Sequence, residues 1–142
     1  MSTKNIMIVG VGGQGSLLAS KLLGRLLMNE GYDVKVSEVH GMSQRGGDVQ
    51  STLRLSTEPI YSDLIREGAA DLIISMEPME TLRYLTYLHS EGCVVTSSHP
   101  YRNIPNYPDE QALMQSLEAL PSKAVLPIED LAKENSMPKC AN

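Results

Sequence analysis

The residues best suited to chemistry lie in two glycine-rich stretches. The first is the run Ile6-Met-Ile-Val-Gly10-Val-Gly12-Gly13-Gln14-Gly15, where an apolar segment ends in glycines at the G-x-G-x-x-G spacing. Gly10 permits a tight turn, Gly12 lets backbone approach a ligand or another chain, and Gly15 lets the following helix pack close to a sheet. Free N–H groups at the helix start suit a phosphate or a carboxylate. A turn that packs the helix and binds nothing would read the same way. The second stretch is His40-Gly41-Met42-Ser43-Gln44-Arg45-Gly46-Gly47. Arg45 beside Gly46 and Gly47 sets a planar cation next to exposed backbone N–H groups, a combination for a phosphate, a carboxylate or an acidic partner surface. The plainer reading is a surface arginine. Glu38, just before this loop, stands where a dinucleotide site would place its ribose-binding acid; the loop behind it suits recognition better than an adenosine pocket. His40 is either an acid–base group or a structural residue. Ser16 and Ser43 have no base partner in the pattern, so no nucleophile is assigned.

The elements that must position these residues alternate strand and helix. The pattern predicts a strand over Asn5–Val9, a helix over Gln14–Glu30 capped by Gly31, and strands over Asp33–Val39 and Asp48–Ser56. In the first helix Leu18, Leu22 and Leu26 recur every fourth residue with Leu23 and Leu27 beside them, a wide apolar face that should hold it in place. A short helix or turn follows over Pro59–Glu67. A strand over Asp71–Met76 is nearly all apolar and hence buried on both faces. A helix covers Pro78–Leu88, with Glu77 and Glu80 complementing its dipole. A strand over Gly92–Ser97, an irregular proline-rich stretch to Pro108, a helix over Asp109–Leu120, a strand over Lys123–Pro127 and a helix over Glu129–Glu134 complete the order. The expected fold is a three-layer α/β/α Rossmann-like domain with a mostly parallel sheet.

At 142 residues the chain suits one domain with a real core. Its net charge of −5 argues against a nucleic-acid binder held by phosphate contacts. No apolar run approaches the roughly 20 residues of a membrane span, and no signal peptide is visible, so the expected location is cytoplasmic, off the membrane. Cys93 and Cys140 are too few and too far apart to hold a metal or an iron–sulfur cluster. Cys93 reads as a buried small residue in a strand.

Three blocks together resemble a known family: Gly10-Val-Gly-Gly-Gln-Gly15, then Glu38-Val-His-Gly-Met-Ser-Gln-Arg-Gly-Gly47, then Ala70-Asp-Leu-Ile-Ile with Glu77-Pro-Met-Glu80-Thr-Leu-Arg83-Tyr84. The chain is similar to the gamma-type subunits of 2-oxoacid:ferredoxin oxidoreductases, the indolepyruvate type above all. The resemblance spans almost the whole chain, and His40–Gly47 is its most specific part. It implies a subunit of an enzyme that oxidatively decarboxylates aryl 2-oxoacids, with coenzyme A accepting the acyl group and ferredoxin the electrons. Thiamine diphosphate and iron–sulfur clusters would belong to a large partner subunit. This chain would contribute an α/β domain, with coenzyme A as its one candidate ligand. Such subunits carry further C-terminal helices, which residues 1–142 are expected to lack. Two other classes share the opening glycine pattern: a stand-alone NAD- or FAD-binding oxidoreductase domain, and an adenylating enzyme of the ubiquitin-activating type. The second expects an Asp-rich end to the second strand, where Val36-Ser37-Glu38-Val39 stands instead.

Overall fold

The structure, a computed structural model, describes residues 3–40, 47–102 and 105–135. Its strands are β1 (Lys4–Val11), β2 (Asp33–His40), β3 (Asp48–Ser56), β4 (Ala70–Ser75), β5 (Leu88–Ser97) and β6 (Lys123–Leu126). Its helices are α1 (Ser16–Asn29), α2 (Pro78–Arg83), α3 (Glu110–Glu118) and α4 (Ile128–Glu134). The strands form one sheet in the order β2-β3-β1-β4-β5-β6. β3 runs antiparallel to both of its neighbours, and the β1–β4, β4–β5 and β5–β6 pairs are parallel. The sheet is therefore mostly parallel, as expected, with one reversed strand between β1 and β2.

Three elements differ from expectation, each for a local reason. β1 continues past Val9 because Gly10 and Val11 pair with Val49 and Asp48. Residues 59–67 form no helix, since neighbouring side chains bind their backbone instead. Ile60 N donates to Asp33 Oδ2 at 2.6 Å, Arg54 Nη1 to the Ser62 carbonyl at 2.6 Å, and Thr52 Oγ1 to the Asp63 carbonyl at 3.3 Å. This strap carries Ile65 into the core beside Met7 and Val9. The expected helix over Pro78–Leu88 ends at Arg83, gives one 3₁₀ turn over Leu85–Tyr87, and β5 starts already at Leu88. That break lets Tyr84 turn inward against Ile73 and Val94.

The two sheet faces follow from the alternation of side chains. Met7, Val9, Ile73 and Val94 line the face covered by the strap and Tyr84. Leu53, Val34 and Val36 line the opposite face beneath α1. On that face α1 covers β1, β2 and β3, while Leu72, Ile74, Cys93 and Val95 remain only half-buried. Cys93 is thus not the fully buried residue its strand pattern suggested.

α1 packs the other way round from its leucine pattern. Its buried residues are Ser16, Ser20 and Gly24, and Leu18, Leu22 and Leu26 are 58%, 55% and 62% exposed. The small stripe lets the helix approach closely: a Cβ on Gly24 would stand 3.1 Å from Val36 Cγ2. Sequence periodicity reports an apolar face without saying whether the sheet or something else covers it. No helix among the described residues is long and apolar enough to cross a membrane.

Inverted packing predicts an inverted mutational response. Gly24→Val should lower stability by about 1–3 kcal/mol through overpacking, whereas Leu22→Ala should change it by less than about 0.5 kcal/mol. Urea unfolding midpoints measure both, and the opposite ranking would show that the leucines hold the helix.

Candidate functional site

The carboxyl ends of β1 and β4 meet the start of β3 at one rim of the sheet, where ligands bind in open α/β sheets. The first glycine stretch turns there. Gly13 and Gly15 take positive φ, 95° and 80°, conformations that favour glycine. Gly10 sits within β1, and its missing Cβ makes room for the Gln14 amide, whose Oε1 would stand 2.8 Å from it. Gln14 staples the turn: Oε1 accepts from Val11 N at 2.9 Å, and Nε2 donates to the Met76 carbonyl at 3.1 Å. Gly12 N donates to the Gly47 carbonyl at 2.8 Å. The structure thus joins the two glycine-rich stretches at Gly12 and Gly47. Close packing of α1, expected of Gly15, falls instead to Ser16, Ser20 and Gly24.

The turn is largely self-satisfied as a result. The N–H groups of Val11, Gly12 and Gln14 all bond within the chain. The hollow between the turn, His40 and Val49 measures about 130 Å³, below the roughly 300–1,000 Å³ of ligand pockets. It offers room for an anionic group but not for a whole nucleotide. Glu38 does not reach the turn. β3 lies between β1 and β2, so the end of β2 is two strand spacings away, about 9–10 Å. Glu38 instead faces His40, with 3.9 Å between Oε2 and Nε2. Gly41, Met42, Ser43, Gln44, Arg45 and Gly46 lie outside the described residues.

Behind the rim stands an acidic cluster that the glycine motifs do not announce. Glu77 and Glu80 are 0% and 2% exposed. Glu77 caps α2, accepting from Glu80 N at 3.1 Å through Oε2. Its Oε1 accepts from Tyr101 N at 3.2 Å and from the Tyr107 hydroxyl. Tyr84 Oη donates to Asp48 Oδ2 at 2.6 Å. Burial and then this bond push the Tyr84 hydroxyl well above the usual tyrosine range. Glu80 and Asp48 face each other. Burial, and next the Asp48 charge, push the Glu80 carboxyl up to about 7, against the opposing pull of Arg83. Arg83 Nε lies 3.2 Å from Glu80 Oε2. This is a charge contact: Glu80 Oε2 and Asp48 Oδ1 are buried without hydrogen-bond partners among the described residues. Glu80 and Asp48 can share a proton, which relieves the repulsion of two buried carboxylates. The signal in the sequence was the Glu77-Pro-Met-Glu80 spacing, acids at the N-cap and third helical positions. Among the described residues no three His, Cys, Asp or Glu side chains stand together to hold a metal ion.

A carboxyl whose folded-state pKa is raised contributes stability that is complete below its unfolded value and is lost as pH rises through the folded one. For Glu80 that window runs from about 4.5 to about 7. Wild-type protein should therefore lose stability across this range, by an amount on the order of 1–3 kcal/mol. Glu80→Gln, which keeps a neutral donor beside Asp48, should flatten the loss. Chemical denaturation on both sides of the window decides it, and parallel pH profiles for the two proteins would rule out proton sharing.

With the geometry in view, comparison with known proteins identifies the family. Residues 5–142 match the family model described as pyruvate ferredoxin/flavodoxin oxidoreductase. The chain is 50% identical over 100 residues to the indolepyruvate oxidoreductase subunit IorB of Thermococcus kodakarensis, covering 70% of this chain and 49% of that one. To the protein of the same name from Methanothermobacter thermautotrophicus it is 37% identical over 120 residues, covering 80% and 60%. The chain thus spans about half the length of its nearer relatives. The fold matches the pyruvate oxidoreductase subunit PORC of Thermotoga maritima at a TM-score of 0.67 and 16% identity, covering 98% of this chain and 71% of that one. It also matches the 2-oxoglutarate:ferredoxin oxidoreductase of Magnetococcus marinus at 0.71 and 15%, covering 99% and 23%. The chain belongs to the pyruvate ferredoxin/flavodoxin oxidoreductase family.

Proposed function

We propose that this chain is the small subunit of an indolepyruvate-type 2-oxoacid:ferredoxin oxidoreductase. The observation that carries the reading is its 50% identity over 100 residues to a subunit of that name. In this reading a large partner subunit holds thiamine diphosphate and iron–sulfur clusters and oxidatively decarboxylates an aryl 2-oxoacid. Coenzyme A takes the acyl group, and ferredoxin takes the two electrons. The complex is cytoplasmic, with no role for nucleic acid or membrane. Residues 1–142 form one gamma-type domain that supplies no catalytic residue.

The role of this chain then lies at its rim. Gly10, Gly12, Gly13, Gln14, Gly15 and Gly47 hold a rigid platform, and Glu38 and His40 border the loop of Gly41–Gly46 that stands on it. Arg45 is the residue suited to grip an oxyanion from that loop, with two parallel hydrogen bonds. The oxyanion is either a phosphate of coenzyme A or a carboxylate of the partner. The small hollow and the internally bonded turn favour the partner. The same features, with β3 standing between β1 and β2, count against the dinucleotide alternative.

The test is reconstitution with the large subunit. Arg45→Lys keeps the charge but loses the planar fork, and should weaken its contact by roughly 10- to 150-fold, the loss of a charged hydrogen bond. Weaker assembly, with unchanged turnover at saturating partner, is the expected result. A raised KM for coenzyme A with intact assembly would move Arg45 to the cofactor. The purified chain alone should oxidise no 2-oxoacid, and activity of the isolated chain would overturn the subunit reading.

A further inference from the structure

The outer side of α1 answers to nothing in the fold. Leu18, Leu22, Leu26 and Met28 are all more than half exposed, although the helix is firmly seated by Ser16, Ser20 and Gly24. Between these leucines and the edge strand β2 runs a groove of about 520 Å³, floored by Gly24 and Val36. A contiguous apolar groove of this kind marks an interaction surface. Its dimensions suit a second helix laid beside α1, with leucines set into the groove.

Charge says which helix. Lys21 and Arg25 both line the groove, and no acidic residue does. α1 itself carries no Asp or Glu over Ser16–Asn29, in a chain whose net charge is −5. Glu30 and Glu38 stand at the ends of the region rather than along it. A second copy docked about a two-fold axis would bring Lys21 and Arg25 against their own duplicates, a like-charge arrangement that destabilises pairing. We propose that the α1–β2 groove binds an amphipathic helix of another protein chain, apolar on its buried face and edged with Asp or Glu opposite Lys21 and Arg25. This surface is separate from the rim and is independent of which 2-oxoacid the enzyme uses.

The test uses two synthetic helical peptides of about 20 residues, sharing one leucine face and edged with glutamate or with lysine. Fluorescence anisotropy with the intact chain should show the glutamate-edged peptide binding at least tenfold more tightly. Lys21→Glu with Arg25→Glu should reverse that order. Leu22→Asp should abolish binding of both peptides while leaving the circular dichroism spectrum and melting temperature unchanged. Equal affinity for the two peptides, or none for either, would overturn the proposal. So would sedimentation of the wild-type chain as a dimer that Leu22→Asp converts to monomer, which would make a second copy the occupant. None of these readouts needs the large subunit, so the groove can fail while the subunit reading stands.

Discussion

One buried carboxylate joins the parts of this fold that chain connectivity leaves apart. Glu77, fully enclosed at the end of β4, accepts hydrogen bonds from the first turn of α2, from the Tyr101 backbone and from the Tyr107 hydroxyl. Ser75 Oγ and Thr81 Oγ1 donate to its carbonyl, and Thr81 in turn meets Thr96 of β5 at 2.8 Å. A charge so deeply buried is tolerated only when its oxygens are occupied. Here they are, and the result is that β4, α2, β5 and the irregular stretch before α3 share one fixed point. Removing Glu77 would leave several donors orphaned at once, which costs more than any single bond contributes.

Glu80, one turn along, shows the opposite case. It is as buried as Glu77, but its outer oxygen has Arg83 only as a charge neighbour and Asp48 as a competitor. The difference lies in chain direction. β3 enters the sheet reversed, so its first residue arrives at the same rim as the last residues of β1 and β4. The reversal that pairs Gly47 with Gly12 is what sets Asp48 against Glu80. Motif geometry and buried charge at this rim are two results of one topological choice.

Much of this was legible beforehand, and the gaps have physical causes. Strand and helix order, the span of β3 and the irregular stretch before α3 follow from period and turn chemistry, which are local. The seating of α1 was not legible, because Leu18, Leu22 and Leu26 state that a face is apolar and leave its neighbour unnamed. Residues 59–67 read as helix-compatible because the side chains that hold them extended, Asp33, Arg54 and Thr52, belong to other elements. Of the site residues, the meeting of Gly12 with Gly47 was readable from strand ends. The pairing of Asp48 with Glu80 was not, since it depends on β3 lying beside β1 rather than beyond β2.

The placement of β3 also constrains how the chain can assemble. β2 and β3 are neighbours in sequence and pair as a hairpin, a local event on the microsecond scale. β1 must then accept β3 on one side and β4 on the other, with Lys4 opposite Leu55 and Ile6 opposite Leu72. Both partners close long loops, so the central strand is the one with the least local support. An intermediate holding the hairpin without β1 would expose Val49 and Leu53 and leave the inner edge of β3 unpaired. Synthesis delivers β1 first, and it stays an unpaired apolar strand until β3 emerges; that interval is the part of its history in which this protein is most open to aggregation.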